Sequence, residues 1–219
     1  MRYAALETAA HARHLTILGG FHPTPKDNAP KACQTLLMLG PHEPAFWPAF
    51  KQSPEWLDGA RDPMDRWSTR VVGAWADELG AMALYPFGPP PYLPFYAWAL
   101  RTGRVHASPV KLLVHDTAGL FVSFRGALAL KERIVLPNPP PAPCGACETT
   151  PCTSACSSRA LTVTGYNVPA CRAFLETALG ADNIANGCHV RRSCPVSKTF
   201  GRLEGQSSYH MRQFHNPAK

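Results

Sequence analysis

The sequence predicts an α+β fold, and three observations carry that expectation. Residues 63–79 place Met64, Trp67, Val71, Trp75 and Leu79 at spacings of three and four, the period of a helix with one apolar face. Short apolar runs at 15–18, 35–39, 82–84 and 127–130 have strand length and are separated by turn-forming residues. Finally, Pro137, Pro139, Pro140, Pro141 and Pro143 interrupt the pattern ahead of a cysteine-rich segment and favour an extended, polyproline-like connection. The chain therefore divides into a first domain over 1–136, a linker over 137–143 and a second domain over 144–219.

Taken in order, residues 3–14 read as a helix, and 15–18 and 35–39 as strands. Asp62 is the expected N-cap of the helix over 63–79, with Pro63 at its first position and Gly80 just past its end. A strand at 82–84 leads through Tyr85-Pro86-Phe87-Gly88-Pro89-Pro90-Pro91 into a helix over 92–101. The runs 111–115 and 120–124, split by Asp116-Thr117-Ala118-Gly119, predict a β-hairpin. Runs at 127–130 and 133–136 complete a largely antiparallel sheet.

The 219 residues suffice to bury a core, and the 23 prolines, about twice the background, point to long stiffened connections. No run approaches the roughly 18 apolar residues of a membrane span, and the N-terminus lacks a secretory hydrophobic segment, so a cytoplasmic protein without a membrane partner is expected. The net charge of +7 is shared almost evenly across Pro140, and Arg191-Arg192 is the main local cluster. That distribution excludes a concentrated nucleic-acid-binding face and suits an acidic protein or an anionic small molecule. Walker, Gly-x-Gly-x-x-Gly and His-Glu-x-x-His patterns are absent from residues 1–140.

Chemistry concentrates in the cysteines. Cys33 stands apart, whereas Cys144-x2-Cys147-x4-Cys152-x3-Cys156 is followed by Cys171, Cys188 and Cys194-Pro195. In a reducing compartment such a group points to metal or redox chemistry more than to disulfides. Closely spaced thiols on a loop of small residues, with a remote Cys-Pro, match a 4Fe-4S cluster better than a structural zinc site. In the bacterial ferredoxin scheme Cys144, Cys147, Cys152 and Cys194 would share one cluster. Two departures are visible: four residues separate Cys147 from Cys152, and Ser157 follows Cys156 where proline is expected. Cys156, Cys171 and Cys188 remain. They fit a 3Fe-4S cluster, a 4Fe-4S cluster completed by a non-cysteine ligand such as His189, or small buried residues.

Before the linker, three features occur together: Asp62-Pro63-Met64-Asp65 opening a helix, the Pro/Gly loop from Tyr85 to Pro91, and an apolar strand ending in His115 that continues through Gly119, Phe121 and Arg125-Gly126. The combination resembles the cobalamin-processing family of the cblC type, which has a nitroreductase-like scaffold. It covers roughly residues 30–137. A domain of this kind followed by a ferredoxin-like iron-sulfur segment is also similar to epoxyqueuosine reductase and the reductive dehalogenases, which pair a corrinoid with two 4Fe-4S clusters. In those relatives the second cysteine group ends in Cys-x2-Cys-x3-Cys-Pro, which Cys188-x5-Cys194-Pro195 replaces here.

The resemblance implies cobalamin as a cofactor, walled by Tyr85, Phe87, Tyr92, Phe95 and Trp98, with Phe121 beside it. It places Arg125 near the corrinoid, where a guanidinium suits carboxylate or phosphate. Arg101 is a further anion-binding candidate, and His115 one for cobalt or a corrin amide. The implied function is an iron-sulfur oxidoreductase that reduces or dealkylates cobalamin and draws electrons from a donor protein. The alternatives are a ferredoxin-type carrier whose first domain docks a partner enzyme, and a flavin-dependent nitroreductase-like enzyme with an added cluster.

Overall fold

The computed structural model describes residues 1–215. The chain is a mixture of helices and antiparallel sheet, an α+β protein. It separates into two compact units. The first comprises Met1–Val105 and Ser123–Pro140, and the second His106–Val122 and Pro141–Lys219. The later boundary falls inside the expected proline linker. The segment His106–Val122, by contrast, belongs to the cysteine-rich unit and not to the first domain.

In the first unit, α1 (Tyr3–His11) precedes β1 (Leu15–Phe21) and β2 (Thr35–Pro41). Two short helices follow, α2 (Phe46–Lys51) and α3 (Pro54–Leu57), then α4 (Pro63–Glu78) and β3 (Met82–Leu84). Helix α5 (Phe95–Arg101) starts three residues later than expected. Pro94 biases Leu93 away from helical angles, and its carbonyl opens the first helical hydrogen bond, to Trp98 N. The chain then crosses into the second unit within β4 (Val105–Ala107), which pairs with β5 (Leu113–His115), and returns to the sheet as β6 (Gly126–Leu130).

The strand order β1-β2-β6-β3 is antiparallel throughout. Every residue of β2 is buried, which explains its continuous apolar run. Against this sheet α4 buries Met64, Trp67, Val72 and Trp75, nearly the face its periodicity marks. Phe46 meets Trp67 edge-on at 5.1 Å, and Phe50 lies 5.3 Å from Trp56, so the aromatic segment before α4 is core. Asp62 precedes α4 in a left-handed conformation, and its side chain makes no cap hydrogen bond. The Asp62 carbonyl instead accepts from Asp65 N at 3.2 Å and Arg66 N at 3.0 Å.

The second unit contains α6 (Val168–Leu175), α7 (Ala181–Asn186), α8 (His189–Ser193), α9 (Pro195–Thr199) and α10 (Glu204–His215), joined by 3₁₀ turns at Pro143–Ala146, Pro151–Thr153 and Ala178–Gly180. Among the described residues no helix is long and apolar enough to cross a membrane.

Two expected strands are absent. The run 120–124 is turn and irregular chain, because its donors are used elsewhere: Leu120 N donates to Ser197 Oγ at 2.9 Å and Phe121 N to the Ala118 carbonyl at 3.0 Å. Only a single bridge, His115 to Gly119, remains of the hairpin. The run 133–136 is irregular too. Ile134 N donates to Thr35 Oγ1 at 3.1 Å, and the Ile134 carbonyl lies 3.0 Å from His22 Nε2, so side chains replace a ladder.

Gly119 has φ +56°, and a methyl group added there would lie 2.6 Å from Ser197 Oγ and 2.9 Å from its Cα. Gly59 has a similar φ, +66°, with open space around it. Gly59→Ala should therefore cost roughly 1 kcal/mol of conformational strain alone, and Gly119→Ala roughly 2 kcal/mol or more, because overlap with α9 adds to the strain. Thermal unfolding of the two variants checks the difference; equal melting temperatures would mean that the contact with Ser197 is not held.

Candidate metal centre

The cysteines of the second unit fall into two sets. Cys144 sits in the turn Pro143–Ala146, and Cys147 N donates to the Cys144 carbonyl at 3.3 Å, which folds the first pair over one turn. Thr150, in a left-handed conformation, reverses the chain so that Pro151–Thr153 presents Cys152. Cys194 is extended at the junction of α8 and α9, where Pro195 fills the first helical position and Lys198 N donates to the Cys194 carbonyl. Cys144, Cys147, Cys152 and Cys194 all line one cavity of about 410 Å³.

Apolar side chains line much of this cavity. Val114 and Leu120, from His106–Val122, line it together with Pro109, Pro195 and Val196. Behind them Val110, Val190 and Leu161 are buried, and Cys152 and Cys194 are themselves only 8% exposed. Three contacts hold the 106–122 segment in place: Ser197 Oγ accepts from Leu120 N, Arg191 donates to the Leu120 carbonyl, and Arg202 donates to the Phe121 carbonyl at 2.9 Å.

Burial, first, and then the proximity of Cys152, Cys194 and Cys147 push the Cys144 thiol above its usual range. Burial likewise raises Cys152, followed by Cys194 and Cys147. Ionised together, these sulfurs would repel one another in a low-dielectric site, so a group that gathers them must bring positive charge.

Cys156, Cys171 and Cys188 form the other set. Cys156 Sγ accepts from Leu161 N at 3.4 Å and lies 3.3 Å from Ser158 Oγ. Cys188 precedes α8, and its carbonyl accepts from Arg192 N at 3.1 Å. Cys171 lies in the first turn of α6, which Asn167 caps by accepting from Ala170 N at 3.0 Å. Burial raises the Cys171 thiol, and Cys188 and Cys156 add to the effect while a hydrogen bond from Tyr166 opposes it. Tyr166 was not anticipated. A phenol five residues before Cys171, in a stretch of otherwise small or aliphatic residues, was the available signal. His189 is exposed.

Among the described residues no group of three or more His, Cys, Asp or Glu is arranged to hold a single metal ion. Zinc would draw four sulfurs to about 2.3 Å from one point.

The expected corrinoid residues do not form one wall. Phe95 and Trp98 are core residues of the first unit, and Trp98 Nε1 donates to the Asp27 carbonyl at 2.7 Å. Tyr92 is 71% exposed. Tyr85 and Phe87 pack together at 5.2 Å, and Phe87 lines a shallow cavity of about 490 Å³ with Asp62, Asp65, Arg66 and Arg70. Arg125 Nη1 lies 3.7 Å from Asp65 Oδ1; burial raises the Asp65 carboxyl and Arg125 counters it. Arg101 pairs with Asp27 at 2.9 Å and lies over the Phe21 ring.

His115 and Phe121 belong to the second unit. His115 is fully buried, and its Nδ1 accepts from Thr117 N and Ala118 N, both at 3.1 Å, so it ties the following turn. Phe121 carries Arg202 over its ring at 5.4 Å.

No family model matches the chain, and comparison with curated proteins and with solved structures finds no match either.

Cys33 lies in the first unit, apart from both sets, where burial pushes its thiol up to about 11. Because the thiolate is the reactive form, alkylation of Cys33 in the folded protein should be negligible at pH 8 and rise roughly tenfold per pH unit toward that value. Mass-spectrometric mapping of iodoacetamide adducts checks this, and rapid labelling at pH 8 would contradict it.

Proposed function

We propose that this chain is an iron-sulfur redox protein, on the single observation that Cys144, Cys147, Cys152 and Cys194 surround one apolar-walled cavity. Four thiolates supply the donor set of a 4Fe-4S cluster, and the surrounding Val, Leu and Pro side chains limit water, one of the levers that set such a group's potential. When bound, the cluster takes up and passes on one electron at a time. The chain's own residues bind it and shield it. Deprotonation of the four thiols on binding releases protons to solvent, so loading should be favoured as pH rises.

The corrinoid is the electron acceptor in this reading, with the first unit holding it and a donor protein filling the cluster. The nitroreductase-like and ferredoxin-like architectures belong to the same proposal. What supports them is the antiparallel sheet of the first unit, the two thiol sets of the second, and the resemblance through Asp62-Pro63-Met64-Asp65 and Arg125-Gly126. A second reading, a ferredoxin-type carrier serving a partner enzyme, is favoured by the enclosure of Phe95 and Trp98 in the core, which leaves the expected corrin wall divided.

The protein purified without oxygen should carry at least about four iron and four sulfide per chain, and Cys147→Ser or Cys194→Ser should remove about four of each. Zinc at about one equivalent without sulfide would overturn the proposal. Titration with hydroxocobalamin separates the two readings. A shift of the cobalt absorption that Arg125→Ala weakens, followed by cobalt reduction that Cys147→Ser abolishes, supports corrinoid reduction; an unchanged spectrum leaves the carrier.

A further inference from the structure

The first unit holds an open cavity of about 730 Å³, lined by the end of β1, the end of α5 and the chain 133–139 that runs into the proline segment. Side-chain hydrogen bonds fix that last wall: Ile134 N donates to Thr35 Oγ1 at 3.1 Å, and the Ile134 carbonyl accepts from His22 Nε2 at 3.0 Å. Gly103, with φ +69°, lets the chain pass close beside it; a methyl group there would lie 2.9 Å from Pro139 Cγ. Phe21, Leu136 and Pro137 give the cavity apolar surface, and Val135 on its wall is 88% exposed. Charge sets this cavity apart, because Arg101 and Arg133 line it and no carboxylate does. Asp27 accepts from Arg101 Nε at 2.9 Å and from Nη2 at 3.4 Å, while the Phe21 ring lies 5.5 Å from the guanidinium carbon. One edge of that guanidinium is thereby held, and Nη1 is left for another acceptor. Among the described residues Arg133 pairs with no carboxylate, and the neighbouring Glu132 is paired with the Met1 amino group. The cavity at Phe87 differs: Asp62 and Asp65 line it, and its Arg66 and Arg70 are paired with Asp58 and Glu55.

We propose that this cavity binds a phosphate monoester with an apolar, ring-bearing body. Two guanidiniums from separate segments match the two charges that a phosphate monoester carries near neutral pH, whereas a carboxylate would use one of them. Arginine suits the task because its planar fork meets two phosphate oxygens at once. The cavity's volume lies within the range of small-molecule sites, which are largely apolar with a few polar groups that fix orientation, so the ring rests on Phe21 and the prolines while the head meets Arg101 and Arg133. No cysteine lines the cavity, so the proposal stands apart from the iron-sulfur reading.

Equilibrium dialysis of the full-length protein against naphthyl phosphate at low ionic strength should give about one bound molecule per chain, held roughly tenfold or more tighter than inorganic phosphate or naphthol and severalfold tighter than naphthoate. Arg133 is exposed, and its removal leaves the Arg101–Asp27 pair in place. Arg133→Ala should weaken binding by roughly tenfold, and Arg133→Lys should recover part of the loss, since an ammonium restores the charge without the fork. Val135→Glu should weaken binding as well, by setting a negative charge on the cavity wall, while Val135→Lys should not. Undiminished binding by both Arg133→Ala and Val135→Glu would overturn the site. Naphthol bound as tightly as naphthyl phosphate would overturn the role of the arginines, and naphthoate bound as tightly would overturn the doubly charged head. Absence of binding at millimolar naphthyl phosphate would overturn the proposal outright.

Discussion

The second unit depends on one close approach, the turn at Gly119 against the start of α9 at Ser197. No side chain fits between them, and the hydroxyl of Ser197 takes the Leu120 amide that a strand partner would otherwise have received. This contact carries Val114 and Leu120 to the wall of the cysteine cavity, and Arg191 and Arg202 then bind the carbonyls of Leu120 and Phe121. It also anchors the helix whose first residue follows Cys194. A remote cysteine and the 144–152 turns thus meet because a loop from before the sheet's last strand is built into their unit.

Electrostatics then divides the cysteines. Burial, and then the neighbouring thiols, raise Cys144, Cys152 and Cys171 above the usual thiol range. In the iron-sulfur reading proposed above, coordination by these thiols would couple metal loading to the stability of this unit. The first unit contains no comparable arrangement among the described residues. Its one cysteine is a weakly acidic, half-buried thiol, and its stability comes from the sheet and the aromatic packing of Phe46, Phe50, Trp56 and Trp67.

Several elements were legible in the sequence. The helix at Pro63–Glu78 follows from its apolar period, its proline start and the glycine beyond its end, all local signals. The strand Met82–Leu84 and the buried runs of β2 and β6 follow from length and apolarity. Cys144, Cys147, Cys152 and Cys194, the set that the bacterial ferredoxin scheme singles out, line one cavity.

Tertiary structure decided the rest. Residues 120–124 form an apolar run of strand length, yet Leu120 finds a hydroxyl from 77 residues away, and a strand needs a ladder partner that only the fold can provide. Phe95 and Trp98 look like a ligand wall in sequence and are core in space, since aromatic character states that a side chain will be buried and not what buries it. The bridge of Leu161 to Tyr166, which closes the turn 162–165, is a pairing that no spacing rule anticipates. Local chemistry, in short-range spacing and propensity, was written in the sequence; which distant groups share a cavity was decided by packing, because contacts between residues far apart in the chain leave no periodic trace.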